Sequence, residues 1–298
     1  IYLVDYDRQQ EEIFQVSNVD TTNNRFRLGI VDGDKLEYKA TDDQEKVAFV
    51  EGGQLWYYDY ASTTITKVFG FWQDIYTDIR TMNTNNEIDI ITLDKKGNIL
   101  FTVYGYMNRG AHEGELGIAV YRYSASNSRL EELSFMSSDK PYDMLKENAS
   151  KLIYMNNNNL YYYMDDSLCC MDLDTKEVTE ITYNVPADLI AVSDDKKYVA
   201  YANADTPEET TSITLMNLDT GETTIFDAAS DENIKALGFV DNDLIYGVAS
   251  KNDILVRKDG SVAFPMKTVN ISDSKKNLIM EYNKSGAFVT DIMVKGHV

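Results

Sequence analysis

One hairpin unit recurs along this chain, and nothing else in the sequence narrows the fold as much. It is seen in "IYLVDYDRQQEEIFQV" from Ile1, "LWYYDYASTTITKVF" from Leu55, "AVYRYSASNSRLEELSF" from Ala119, "CCMDLDTKEVTEI" from Cys169 and "TLMNLDTGETTIF" from Thr214. A looser copy is "ILVRKDGSVAF" from Ile254. Each runs as an apolar-rich strand that ends in a polar residue: Asp5, Asp59, Arg122, Asp172, Asn217 and Arg257. In the first five an apolar or aromatic residue follows (Tyr6, Tyr60, Tyr123, Leu173, Leu218), then a polar turn and a second alternating strand. The turns Asp219-Thr220-Gly221 and Asp259-Gly260 suit tight hairpins, because Gly and Asp accept the positive φ such turns need.

A second unit lies between the hairpins. "ATDDQEKVAFV" (40–50), "LDKKGNILFTVY" (93–104), "VSDDKKYVAYA" (192–202) and "ISDSKKNLIMEY" (271–282) each read as strand, Asp/Lys-rich turn and apolar strand. Copies at 151–164 and 237–249 use Asn/Asp turns instead. Together the two units give four antiparallel strands per repeat at a period of about fifty residues, the sequence signature of propeller blades.

The expected fold is therefore all-β, a single β-propeller domain over 1–298 with six four-stranded antiparallel blades, seven being the alternative. Blade material falls at 1–16 with 268–298, 30–69, 87–135, 151–183, 187–226 and 234–265. In that phase the N- and C-terminal strands would share one blade and close the ring, leaving no open sheet edge. A spare strand, "GAFVTDIMV" (286–294), is a third strand of the closing blade, part of a seventh blade, or the start of a further domain. Two connections between blades, 141–152 and 227–237, are candidates for short helices.

The stretch 193–226, "SDDKKYVAYA" followed by "ITLMNLDTGETTIF", resembles the TolB-like and WD40-like β-propeller repeats, in which a Ser/Asp-Gly/Lys-Lys turn precedes an apolar strand. The Trp-Asp dipeptide of true WD40 repeats is absent. In its Tyr-rich strands and the segment "YGYMNRGAHEGELG", the chain also resembles propeller segments of larger membrane-anchored proteins of Gram-positive gut bacteria. That resemblance implies an extracytoplasmic module, at the cell surface or secreted, and brings no particular activity with it. The opening "IYLVDYD", without Met and already alternating, fits a segment of a longer or processed chain.

Charge narrows the partners. Asp and Glu outnumber Lys and Arg 49 to 28, for a net charge of -21. Nucleic-acid binding draws its affinity from basic side chains neutralising phosphates, so no nucleic-acid partner is expected. No apolar run approaches the roughly 18–20 residues of a membrane span, so no direct membrane insertion by this chain is expected either. Cys169 and Cys170 are adjacent and would point to opposite faces of a strand, which disfavours their bonding to each other.

Catalytic signatures are few. The only histidines are His112 and His297, no His or Cys metal spacing is present, and no G-x-S-x-G elbow exists. Neither a catalytic residue, a metal nor a cofactor is assigned on this basis. A carbohydrate-active propeller with a carboxylate pair in a central funnel is the enzymatic alternative. Its candidate acids (Asp89, Asp94, Asp165, Asp166, Asp188, Asp241) sit mainly in turn contexts, where Asp bonds its own backbone. "VDGDK" (31–35) and "VDNDL" (240–244) offer paired oxygens but lack the distal Glu of a calcium loop. The aromatic runs at 55–60 and 159–166 read as packing between blades.

Binding is the remaining expectation, since loops longer than a repeat requires tend to carry function. Two such excesses stand out. One contributes Asn108, Arg109, His112, Glu113 and Glu115, set among glycines, and the other, 69–87, contributes Trp72, Tyr76 and Arg80. The expected function is a non-enzymatic, monomeric module of a larger anchored protein that recognises a protein, peptide or glycan. A purely structural spacer is a further alternative.

Overall fold

The computed structural model describes residues 2–6, 12–16, 25–30, 37–51, 53–71, 86–108, 110–258 and 260–294, with side chains from residue 37 onward. Two compact units make up the chain, Ile1–Lys146 and Glu147–Val298.

The first unit holds three antiparallel sheets. One has three strands: β1 (Tyr2–Tyr6), β2 (Glu12–Val16) and β3 (Arg25–Ile30). The next two have four each, in sequence order: β4 (Tyr38–Ala40), β5 (Lys46–Glu51), β6 (Gln54–Asp59) and β7 (Thr64–Gly70), then β8 (Asn86–Leu93), β9 (Ile99–Tyr106), β10 (Leu116–Ser124) and β11 (Arg129–Ser137). Helix α1 (Tyr142–Lys151) joins the units in sequence, with Asp143 in its first turn and Lys151 in its last, as the helix dipole favours.

The second unit repeats the pattern. Its first sheet is β12 (Ile153–Asn156), β13 (Asn159–Met164), β14 (Ser167–Asp172) and β15 (Val178–Thr182). Its second is β16 (Ile190–Val192), β17 (Tyr198–Ala202), β18 (Ser212–Asn217) and β19 (Thr223–Asp227). In the last, β20 (Glu232–Val240) and β21 (Asp243–Ser250) pair onward to β24 (Thr268–Ser272) and β25 (Leu278–Asn283). A side hairpin, β22 (Leu255–Val256) with β23 (Val262–Ala263), interrupts that last connection. The fold is all-β, and each run of four neighbouring antiparallel strands has the form of a propeller blade.

Burial explains the strand sequences. The second strand of a sheet has cover on both faces, so its apolar residues run on without alternating: Ile99–Gly105 of β9 are all buried, as are Leu160–Tyr163 of β13 and Val199–Ala202 of β17. Fourth strands such as β15 and β19 are mostly exposed and polar. Cores form around Phe69, Ile99, Phe101 and Val103 in the first unit. In the second they form around Leu152, Tyr163, Leu168 and Leu189, and around Ile213, Leu215 and Leu244. Each fully buried side chain of this size contributes about 1.5–3 kcal/mol of transfer free energy.

Tight turns have a repeated chemistry. The polar residue that ends a hairpin's first strand accepts main-chain N–H bonds from the turn: Asp59 from Ala61 at 2.9 Å, Asp172 from Asp174 and Thr175 at 2.9 Å, Asn217 from Asp219 and Thr220 at 2.8 and 3.1 Å. The residue after it ties the hairpin to the facing turn of its own sheet. Tyr60, Leu173 and Leu218 donate N–H bonds to the carbonyls of Glu45, Asn158 and Lys197 at 2.7–2.9 Å.

Three sequence expectations need correction. Residues 268–283 form β24 and β25, paired through β21 with β20 into the last sheet, and the described strands β1–β3 pair with one another. The hairpin at 254–264 is a side excursion and contributes no strand to a four-stranded sheet. The stretch 227–237 is not helical: β19 ends at Asp227 and β20 starts at Glu232, because pairing along β21 outweighs the local i, i+3 spacing of apolar residues.

Candidate functional site

The loop 107–115 joins β9 to β10, and its shape is set from its first residue. Met107 is buried at 4% exposure, donates its N–H to Glu115 O at 2.9 Å and accepts from Gly114 N at 2.7 Å. Glu115 N donates back to His112 O at 3.0 Å. Gly110 and Gly114 take φ values of 82° and 90°, where a side chain is disfavoured, and both face open space. The loop is thus a closed turn seated on the end of its sheet.

His112 is its organising side chain. The imidazole stacks on Phe135 of β11, with ring centroids 3.9 Å apart and 17° between planes. Its Nδ1 lies 3.4 Å from Glu115 Oε1, and its Nε2 lies 3.2 Å from Glu132 Oε1. The other oxygen of Glu132 accepts a 2.7 Å bond from the Tyr121 hydroxyl, and Tyr121 stacks at 5.4 Å on Phe101, its cross-strand neighbour on β9. Two ring stacks joined through the Glu132 carboxylate therefore link the exposed loop to the core. Chemically, this is a preorganised polar platform that presents carboxylates around a half-buried imidazole.

Of the residues read from sequence, Asn108 (5% exposed), His112, Glu113 and Glu115 lie together here. Arg109, Trp72, Tyr76, Arg80 and His297 lie outside the described residues. Sequence reasoning misses Glu132, Phe135 and Tyr121. The register shifts between Val120 and Tyr121, so that Tyr121 faces Glu132 after Val120 faces Ser134. An alternation count along 129–137 breaks at that bulge, and only His112 itself signals the place.

The other chemical candidates resolve into structure. Asp94 accepts N–H bonds from Lys96 and Asn98 at 2.8 and 2.9 Å, and Asp188 pairs with Lys235 at 3.3 Å. Asp165, Asp166 and Asp241 take turn positions with φ of 52°, 62° and 52°. Asp89 lies on β8. Residues 31–35 are outside the described residues; in 240–244 burial, then the nearby Asp273 and Asp241, raise the Asp243 carboxyl above the usual aspartate range. Cys169 and Cys170 are free and half-buried, and burial pushes the Cys169 thiol up to about 11, away from thiolate reactivity. Tyr57, Tyr58, Tyr161, Tyr162 and Tyr163 are all under 9% exposed, which places the aromatic runs in packing. Among the described residues no helix is long and apolar enough to cross a membrane.

No protein-family model matches the chain, and no curated protein sequence matches it. Among solved structures it is similar to Hsv2 from Kluyveromyces marxianus, at 11% identity and TM-score 0.38 over 85% of this chain and 66% of that one. TolB from Acinetobacter baumannii matches at 15% identity and TM-score 0.33, over 74% and 52%. A chain of a nidogen/laminin complex matches at 10% identity and TM-score 0.37, over 92% and 91%. The chain spans just under two thirds of the Hsv2 chain and about half of TolB.

Proposed function

We propose that this chain is a single β-propeller domain of six blades that works as a non-enzymatic recognition module, presenting the 107–115 loop to a protein, peptide or glycan. The platform around His112 carries the reading. A loop beyond what its sheet needs is held in one shape by a ring stack and two carboxylate contacts, so little ordering entropy remains to be lost on binding. The high net negative charge of -21 suits a partner with basic groups. Placement outside the cytoplasm, within a larger anchored protein, rests on the sequence resemblance alone.

The test is a triple replacement, Arg109→Ala, His112→Ala and Glu113→Ala, compared with the parent chain on peptide and glycan arrays. Loss of a reproducible array signal by about tenfold or more, in a variant that still unfolds cooperatively and loses no more than about 1 kcal/mol of stability, supports the reading. A signal that survives the triple replacement, or turnover of a chromogenic glycoside panel by the parent chain, overturns it.

A further inference from the structure

Both ring nitrogens of His112 face carboxylate oxygens, and a neutral imidazole cannot serve the two contacts at once. Nδ1 lies 3.4 Å from Glu115 Oε1, and Nε2 lies 3.2 Å from Glu132 Oε1. An ionised carboxylate only accepts, so each contact is favourable when the nitrogen facing it carries a proton. Neutral imidazole has one N–H. Whichever nitrogen holds it, the other turns a lone pair toward a carboxylate. The imidazolium alone satisfies both.

The face of the ring favours the same form. Phe135 lies flat against it, with centroids 3.9 Å apart and 17° between planes. An aromatic face attracts a cation, and a neutral imidazole gains no such term. Three elements bring groups to the imidazole. The loop supplies Glu115, with Glu113 next to His112 in sequence, and β11 supplies Glu132 and Phe135. From β10 comes Tyr121, whose hydroxyl holds the second oxygen of Glu132 at 2.7 Å and so fixes where that carboxylate stands. The His112 side chain is 30% exposed, which leaves its proton open to exchange with solvent.

The base of the loop does not depend on this charge. Met107 is bonded through the main chain to Gly114 and Glu115, and no ring atom takes part. What the imidazolium adds is the tie from the tip of the loop to β11. We propose that 107–115 is a pH-gated loop, in which protonated His112 locks the tip onto β11 and loss of the proton releases it. The tie is present on the acid side and is lost as pH rises through the range in which histidines titrate, about 5–8. Its consequence for binding rests on the recognition reading above. A partner meets an ordered loop at low pH, and at high pH must supply the ordering entropy itself.

The experiment follows the backbone amides of Gly110 and Gly114 by NMR, on the isotope-labelled full chain, from about pH 5 to 8.5. In the parent chain both should pass through one shared transition and lose protection from exchange on its alkaline side. His112→Phe keeps a ring against Phe135 and removes the proton, so the transition should vanish. The other histidine, His297, stays in place and cannot account for that loss. Glu132→Gln keeps an acceptor for the Tyr121 hydroxyl and removes one charge; it should move the midpoint toward acid by about half a pH unit or more. Unfolding curves establish that each variant is folded, and Glu115→Gln makes the same test if Glu132→Gln is not. No transition in the parent, one that survives His112→Phe, or a midpoint that neither glutamine variant moves toward acid overturns the proposal. This readout needs no partner. A peptide or glycan captured on the arrays should bind the parent chain about threefold or more weakly at about pH 8 than at about pH 6. A loop transition with capture that ignores pH counts against the recognition reading alone.

Discussion

The two ends of each four-stranded sheet are built by different rules. At one end every join is a tight turn: 41–45, 60–63, 94–98, 125–128, 157–158, 173–177, 193–197, 218–222, 241–242 and 273–277. At the other end the joins are 52–53, 107–115, 165–166, 203–211 and 251–267, so two are minimal and three are far longer. The turn end reuses a small set of solutions. Asp94 and Asp273 each accept bonds from the N–H groups two and four residues on, at 2.8–2.9 Å, and each holds the side-chain amide of that fourth residue, Asn98 or Asn277, at 2.8 Å. The three long joins of the loop end share no such pattern. A feature that recurs in every sheet belongs to the fold, and one that changes from sheet to sheet is free to carry function. The candidate loop 107–115 and the side hairpin within 251–267 are both of the second kind.

Glycines offer the sharpest way to break this contrast. Gly97, in a turn, and Gly110 and Gly114, in the loop, have nearly the same φ of 84°, 82° and 90°. The backbone cost of alanine is therefore about equal at the three, roughly 1–2 kcal/mol. They differ in what the new methyl would meet. At Gly97 it would fall 2.1 Å from the Tyr57 hydroxyl and 2.8 Å from its ring, a side chain only 5% exposed. At Gly110 and Gly114 it would meet nothing within 4 Å. Gly97→Ala should cost about 3 kcal/mol or more in denaturant unfolding, and Gly110→Ala and Gly114→Ala about 1 kcal/mol each. Equal losses at all three would mean that the turn end is no more constrained than the loop end.

His112→Ala tests the loop end alone, with a smaller expected effect. The stack on Phe135 is partly exposed, so its loss should cost about 0.5–1 kcal/mol. Amide exchange should rise at 110–115 and stay unchanged in β9 and β10. A global loss larger than that of Gly97→Ala would assign the loop to the fold and remove it as a recognition element.

The same contrast explains what could be read from the sequence. Turn chemistry is local, so the strand-ending polar residues Asp59, Asp172 and Asn217 mark their hairpins directly, and the buried Leu173 and Leu218 mark the ties to the neighbouring turn. The last sheet is misread because the side hairpin also carries a strand-like apolar run and an Asp-Gly turn. Yet Leu255 and Val256 are 63% and 59% exposed, and the hairpin packs as an appendage. Counting it as two blade strands shifts 268–283 out of its own sheet and onto the chain's beginning. The site is legible only in part for a similar reason. His112 is conspicuous among glycines, whereas Glu132 and Phe135 are supplied by a strand whose register slips at a bulge, which a period of two cannot follow.

The smallest expected effect separates the turn's geometry from its charge. Hydrogen bonds from the Thr175 and Asp174 N–H groups hold the Asp172 carboxyl below the usual aspartate range. The unfolded chain titrates near about 3.9, so the stability from this turn is fully present above that value and is lost as pH falls through the lower folded value. Asn217 occupies the matching place in the next sheet and accepts the same pair of N–H bonds with an amide oxygen that does not titrate. Asp172→Asn should therefore leave the unfolding midpoint at neutral pH almost unchanged and flatten its fall below about pH 4. Asn217→Asp should do the reverse and steepen that fall. If Asp172→Asn instead lowers stability at neutral pH as much as Asp172→Ala does, the carboxylate charge, and not the shape of the turn, is what the repeated polar residue supplies. The interchange of Asp and Asn between the two sheets would then need a separate cause in each.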